Sequence, residues 1–79
     1  MMIKVTQELI YDGIRKDCLM CPVARAMTTA TGKCVVVGQA WWRYSGMEKV
    51  HRLPEHVANF ITDFDVLGKA SPIEFEVEP

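Results

Sequence analysis

The sequence has no long apolar run, no excess of basic residues and few cysteines. Its uninterrupted apolar stretches, such as Cys34 to Val37, are far shorter than the roughly 20 residues that span a bilayer. Nine Lys and Arg against ten Asp and Glu give a formal net charge of -1, whereas nucleic-acid binding draws on clustered positive charge. The three cysteines are an odd number, so a fully paired disulfide framework of the secreted mini-protein type is excluded within one chain.

The pattern of the first residues does not predict a targeting signal. Residues 1–6 do not contain the continuous apolar core of a secretory signal peptide. We therefore expect a cytoplasmic protein with no membrane contact. For the cysteines, reduced thiols, one disulfide with a spare thiol, or a metal site all remain open.

The composition predicts one compact domain over residues 1–79. Of the 79 residues, 49% are hydrophobic and 24% are charged, whereas disordered chains are poorer in apolar residues. A chain of this length buries roughly 60–65% of its unfolded surface, which leaves little material for a deep pocket. It contains no Gly-rich phosphate loop, no His-Glu-x-x-His and no Gly-x-Ser-x-Gly. We expect no enzymatic activity and assign no catalytic residue.

Local patterns predict five strands and three helices. Alternating, β-branched or aromatic segments indicate strands at residues 3–5, 34–37, 41–44, 49–52 and 73–78. Thr6 is the expected N-cap of a short first helix, Pro22 begins a second helix that Gly32 ends, and Leu53-Pro54-Glu55 opens a third that ends near Gly68. In the third helix, an apolar face follows helical spacing at Val57, Phe60, Ile61 and Phe64.

This order predicts a small α+β domain. We expect a single-layer, mostly antiparallel sheet in the order β-α-α-β-β-β-α-β, with the helices packed on one face. Residues 34–37 are apolar on both faces and are expected to form the central strand. If the first and last strands lie side by side, Lys4 would face Glu74 or Glu76.

The segment Cys18-x-x-Cys21-Pro22 is the most compact chemical motif. A helix N-terminus supplies backbone donors to a thiol, and thiol-redox motifs and half of a zinc knuckle both use this placement. A closed zinc site needs four ligands, and Cys34, His51 and His56 could complete one only if the fold gathered them. A packed loop in which Cys21 caps the helix is the favoured interpretation, and no cofactor is assigned, with zinc as an alternative held by Cys18, Cys21, Cys34 and His51.

The tandem tryptophans mark a candidate binding surface. Trp41 and Trp42 are neighbours in a strand, so one faces the helices and the other faces away. An outward aromatic beside arginines has the composition of interface hot spots. The candidate binding residues are Trp41, Trp42, Arg43, Tyr44 and Arg52. Stacking on single-stranded bases is a further alternative, disfavoured by the acidic last strand.

Five segments together resemble a known class of sequences. They are Ile3-Lys4-Val5-Thr6, Asp17-Cys18-x-x-Cys21-Pro22-Val23-Ala24-x-Ala26, Arg52-Leu53-Pro54, Phe60-Ile61-x-x-Phe64-Asp65 and Ile73-Glu74-Phe75-Glu76. The class consists of short uncharacterised proteins of bacteriophages, prophages and bacteria, and it carries no established activity. The resemblance implies a phage-type accessory or host-modulating protein, acting in the host cytoplasm by binding a host or phage protein.

Two functional hypotheses follow from these patterns. The first is a non-enzymatic protein-protein interaction module, whose partner is a bacterial or phage protein or a second copy of the chain. The second is a small zinc- or thiol-redox-dependent domain centred on Cys18 and Cys21. Nucleic acid and membrane are not the expected partners.

Overall fold

The computed structural model describes residues 1–78 and confirms the α+β class and the predicted order of elements. All strand pairs are antiparallel. The strands are β1 (Met2–Val5), β2 (Val35–Val37), β3 (Trp41–Tyr44), β4 (His51–Arg52) and β5 (Ile73–Glu76). The helices are α1 (Gln7–Asp12), α2 (Pro22–Thr31) and α3 (Glu55–Leu67).

The strands form two sheets, which corrects the expectation of a single one. β1 pairs with β5, and β2, β3 and β4 form a separate meander in that order. β1 and β5 do lie side by side, and their register places Lys4 opposite Glu74, one of the two glutamates considered for that arrangement. Helix α2 packs against both β1 and β2, so the helix rather than a strand connects the two sheets.

The edges of the meander explain why it does not join the other sheet. β2 lies at an edge and not at the centre, because its outer backbone donors are already used: Val37 N donates to Cys18 O at 2.8 Å and Val35 N donates to the Thr28 hydroxyl at 3.1 Å. β4 at the opposite edge has two residues, and Pro54 follows closely and cannot donate to a ladder. Neither edge is therefore open to β1 or β5.

The helix boundaries follow the predicted caps. The Thr6 hydroxyl accepts from Leu9 N at 3.3 Å at the start of α1, and Pro22 is the first residue of α2. Helices α2 and α3 end at Gly32 and Gly68, whose φ angles of 73° and 70° are left-handed, a conformation that glycine adopts without a steric penalty.

One hydrophobic cluster joins the two sheets and the three helices. The predicted face of α3 is buried, as is the alternating inner face of β1. The largest side chain fully buried in this cluster is Trp42. None of the helices within residues 1–78 is long and apolar enough to cross a membrane.

Candidate functional site

The two adjacent tryptophans lie on opposite faces of the meander. Trp42 is 1% exposed and Trp41 is 37% exposed. This difference follows from the alternation of side chains along a strand, which sends neighbouring residues to opposite faces. Trp41 is therefore the member of the pair that a partner can reach, and Trp42 belongs to the core.

Two of the five predicted binding residues lie on the inner face. The Trp42 ring stacks on His51 and meets Tyr44 edge to face, with a centroid distance of 5.2 Å in the second pair. Tyr44 is half-buried, and the Lys33 ammonium lies 5.2 Å from its ring centroid. Trp42 and Tyr44 thus pack on the inner face of the meander and do not form its outer surface.

The other three predicted residues share the outer face. Arg43 is two residues after Trp41, and Arg52 pairs directly with Trp41 across β3 and β4, so all three side chains project to the same side. The exposed Met47 and Val50 extend this area along the connecting loop. We call these five residues the hairpin surface.

The geometry of the hairpin surface is held by local contacts. A Cβ atom on Gly38 would overlap the indole of Trp41, so the ring lies directly against the backbone there. Gly38 N donates to Trp41 O at 2.8 Å and closes the turn between β2 and β3. Arg43 Nη1 donates to Met47 O at 3.3 Å. The aromatic ring and one guanidinium are therefore positioned before any partner arrives.

The charges around the hairpin surface are unevenly distributed. Residues 41–52 carry Arg43, Lys49 and Arg52 but a single acidic residue, Glu48. An acidic border lies on one side, where Arg52 shares a shallow depression with Glu76 and Glu78. The surface is thus locally basic beside an acidic strand end.

A second region is built around the Cys18-x-x-Cys21 motif. Cys21 is buried at the N-terminus of α2, and its Sγ accepts from Ala24 N at 3.4 Å, which confirms the predicted cap. Burial raises the pKa of the Cys21 thiol above its ordinary value of 9.0, against the smaller opposing effect of backbone hydrogen bonds from Ala24 and Val23. Cys18, three residues earlier, is exposed.

Both thiols line the same open pocket, of about 410 Å³, which we call the cysteine pocket. Its wall includes Lys16, Thr62 and Asp65 from the loop and α3. Lys16 adopts a left-handed φ of 58°, and its backbone N donates to Asp65 Oδ1 at 2.9 Å. This bond joins the cysteine loop to the last turns of α3.

The Arg15 side chain reinforces the same junction. Its Nε and Nη2 donate to Asp65 O at 3.0 and 2.7 Å, and Nη2 also donates to Val66 O at 2.8 Å. These carbonyls lie at the end of α3, where helical partners are missing. The sequence did not predict the contact between Arg15 and Asp65, because no local pattern relates residues about fifty positions apart.

The four candidate zinc ligands are not gathered. Cys18 and Cys21 share the cysteine pocket, Cys34 lines a different one beside Arg25, and His51 lies against Trp42. Across the described part of the chain, no three His, Cys, Asp or Glu residues are grouped so that they could hold a metal ion.

Two regions therefore combine accessible side chains with a fixed geometry. The hairpin surface offers an aromatic ring on the same face as two arginines, and the cysteine pocket offers one exposed and one buried thiol. The first suits recognition of another surface, and the second suits thiol chemistry. No protein-family model, no curated protein and no solved structure matches the chain.

Proposed function

We propose that this protein is a small interaction module that binds an acidic region of another protein through the hairpin surface. The observation that carries the proposal is the position of Trp41, held against Gly38 on the same face as Arg43 and Arg52. A positioned aromatic ring loses little conformational entropy on binding, and Trp and Arg are the residues most enriched at binding hot spots.

The charges favour an acidic protein partner. Arginine binds carboxylates through paired hydrogen bonds, and Lys49 adds a third positive charge to the hairpin. A nucleic acid fits less well, because its continuous phosphate charge would meet Glu76 and Glu78 beside Arg52. The resemblance to phage and prophage sequences supports a host or phage protein as the partner.

The proposal is tested by quantitative capture from a bacterial lysate. The baits are the wild-type chain, Trp41→Ala, Arg52→Glu and Tyr11→Ala. Tyr11 is the matched control because it is an exposed aromatic residue in α1, outside the hairpin surface. We expect at least one protein to be retained by the wild type and Tyr11→Ala, lost from the other two variants, and released by salt near 0.5 M.

Three outcomes would overturn this function. The first is a set of captured proteins that is the same for Trp41→Ala as for the wild type. The second is retention that disappears after nuclease treatment, which would identify nucleic acid as the ligand. The third is a wild-type dimer in sedimentation that Trp41→Ala converts to monomer, which would identify a second copy of the chain as the occupant.

A further inference from the structure

The backbone turn before α2 brings Cys18 and Cys21 close together. Asp17 Oδ1 accepts from Leu19 N at 2.9 Å and from Met20 N at 3.0 Å, and Cys21 N donates to Asp17 O at 3.1 Å. A bond from a residue to the carbonyl four positions earlier is that of one helical turn. Residues three apart in such a turn have Cβ atoms about 5–6 Å apart, so a small backbone adjustment reaches the roughly 3.5–4.5 Å of a disulfide.

The two thiols are accessible to different degrees. Both line the cysteine pocket, but Cys18 is exposed whereas Cys21 is 5% exposed. A dissolved disulfide can therefore reach Cys18 first. Cys21 is placed to attack the Cys18 sulfur once that sulfur is part of a mixed disulfide, because both side chains line the same pocket.

Asp17 stabilises the turn through hydrogen bonds to backbone groups and leaves both sulfur atoms available for reaction. Its side chain accepts from the two residues between the cysteines, and its carbonyl accepts from Cys21. The buried Cys21 sulfur accepts from backbone donors at Ala24 and Val23, with Ala24 N at 3.4 Å, and a thiol sulfur is a weak acceptor. Movement of this sulfur toward Cys18 therefore costs little more free energy than the loss of the hydrogen bond that caps α2.

We propose that Cys18 and Cys21 are a dithiol that forms a reversible intramolecular disulfide by exchange with a low-molecular-weight disulfide. The Cys18 thiolate attacks one sulfur of the reagent, which forms a mixed disulfide and releases the first reagent thiol. The Cys21 thiol loses its proton to solvent and attacks the Cys18 sulfur, which releases the second reagent thiol. Two electrons pass from the cysteine pair to the reagent disulfide.

Cys34 is an internal control for this chemistry. It is exposed like Cys18, but it lines a separate pocket, together with Leu19, Met20 and Arg25. No second thiol lines that pocket. Exchange at Cys34 should therefore stop at the mixed disulfide.

The experiment exposes the reduced wild-type chain to glutathione disulfide and follows it by mass spectrometry after acid quenching and peptide mapping. We expect an internal disulfide between Cys18 and Cys21, lighter by two hydrogen atoms, together with one glutathione on Cys34. Dithiothreitol should restore three free thiols. Two results would overturn the proposal. One is a glutathione adduct on Cys18 that persists as long as the adduct on Cys34. The other is a disulfide between Cys18 and Cys34.

Cys21→Ser separates the chemistry from folding. Serine is a favoured N-cap residue and can accept the bond from Ala24 N, so α2 is retained. In this variant the Cys18 adduct should persist, with complete loss of the internal disulfide. If the adduct on Cys18 in Cys21→Ser is removed as fast as in the wild type, Cys21 is not the resolving thiol. Tyr11→Ala, at an exposed residue of α1 that does not line the cysteine pocket, should leave the reaction unchanged.

Discussion

His51 stacks on the buried ring of Trp42, with ring centroids 4.4 Å apart and planes inclined by 17°. The two residues are register partners in β3 and β4, so the contact fixes the pairing of a strand that has two residues.

We predict that Trp42→Ala lowers the free energy of unfolding by about 3–5 kcal/mol, the usual cost of removing a buried tryptophan. Trp41→Ala should lower it by about 1 kcal/mol, since part of its ring remains in solvent. Urea denaturation of both variants measures the difference, and equal losses would contradict the assignment of faces.

Gly38 allows the indole of Trp41 to lie against the backbone. Gly38→Ala places a methyl group where the ring now lies, so the ring must move into solvent. We predict a red-shifted tryptophan emission and a larger fraction quenched by iodide, with a smaller change in stability than in Trp42→Ala. Trp41→Phe is the control, because the remaining Trp42 is buried and should be protected from iodide. An unchanged emission in Gly38→Ala would contradict this position of the ring.

The buried thiol of Cys21 predicts a loss of stability at alkaline pH. Its pKa is raised in the folded protein, mainly by burial, so the folded state holds this proton more tightly than the unfolded state. Above the ordinary value of 9.0, the unfolded thiol ionises first and the free energy of unfolding falls until the folded thiol also ionises. Urea denaturation between about pH 8 and pH 11 should show a steeper decline for the wild type than for Cys21→Ser. Parallel curves would contradict the burial of a neutral thiol.

The Arg15 guanidinium caps the end of α3 through three hydrogen bonds. We predict that Arg15→Lys lowers the free energy of unfolding by about 1 kcal/mol, because an ammonium cannot reproduce the planar fork. Amide exchange at Gly68, whose N donates to Phe64 O at 2.8 Å, should accelerate. Lys69→Ala is the matched control, since it removes an exposed charge just beyond the same helix end. A loss in Lys69→Ala with no loss in Arg15→Lys would show that positive charge, and not the guanidinium geometry, is responsible.

Most of the secondary structure could be predicted because its signals are local. The spacing of Val57, Phe60, Ile61 and Phe64 identified the buried face of α3, and Thr6 and Cys21 were identified as caps. The strand boundaries were less accurate. β4 was expected to begin at Lys49 and begins at His51, because Gly46 and the loop after it take up part of the predicted strand.

The candidate site could be predicted in part. Alternation requires that Trp41 and Trp42 face opposite ways, but it does not show which of them enters the core. Tyr44 shares the face of Trp42 for the same reason. Once Trp42 is buried, the candidate residues on the outer face reduce to Trp41, Arg43 and Arg52.

The sequence by itself determined the eight elements, their order and their caps, since these depend on the chemistry of residues a few positions apart. The tertiary structure alone decided that the strands form two sheets, because the Cys18 carbonyl and the Thr28 hydroxyl occupy the edge of β2. It also decided that Arg15 meets Asp65. Such contacts join residues far apart in the chain, where the path of the backbone, and not a local pattern, sets which groups meet.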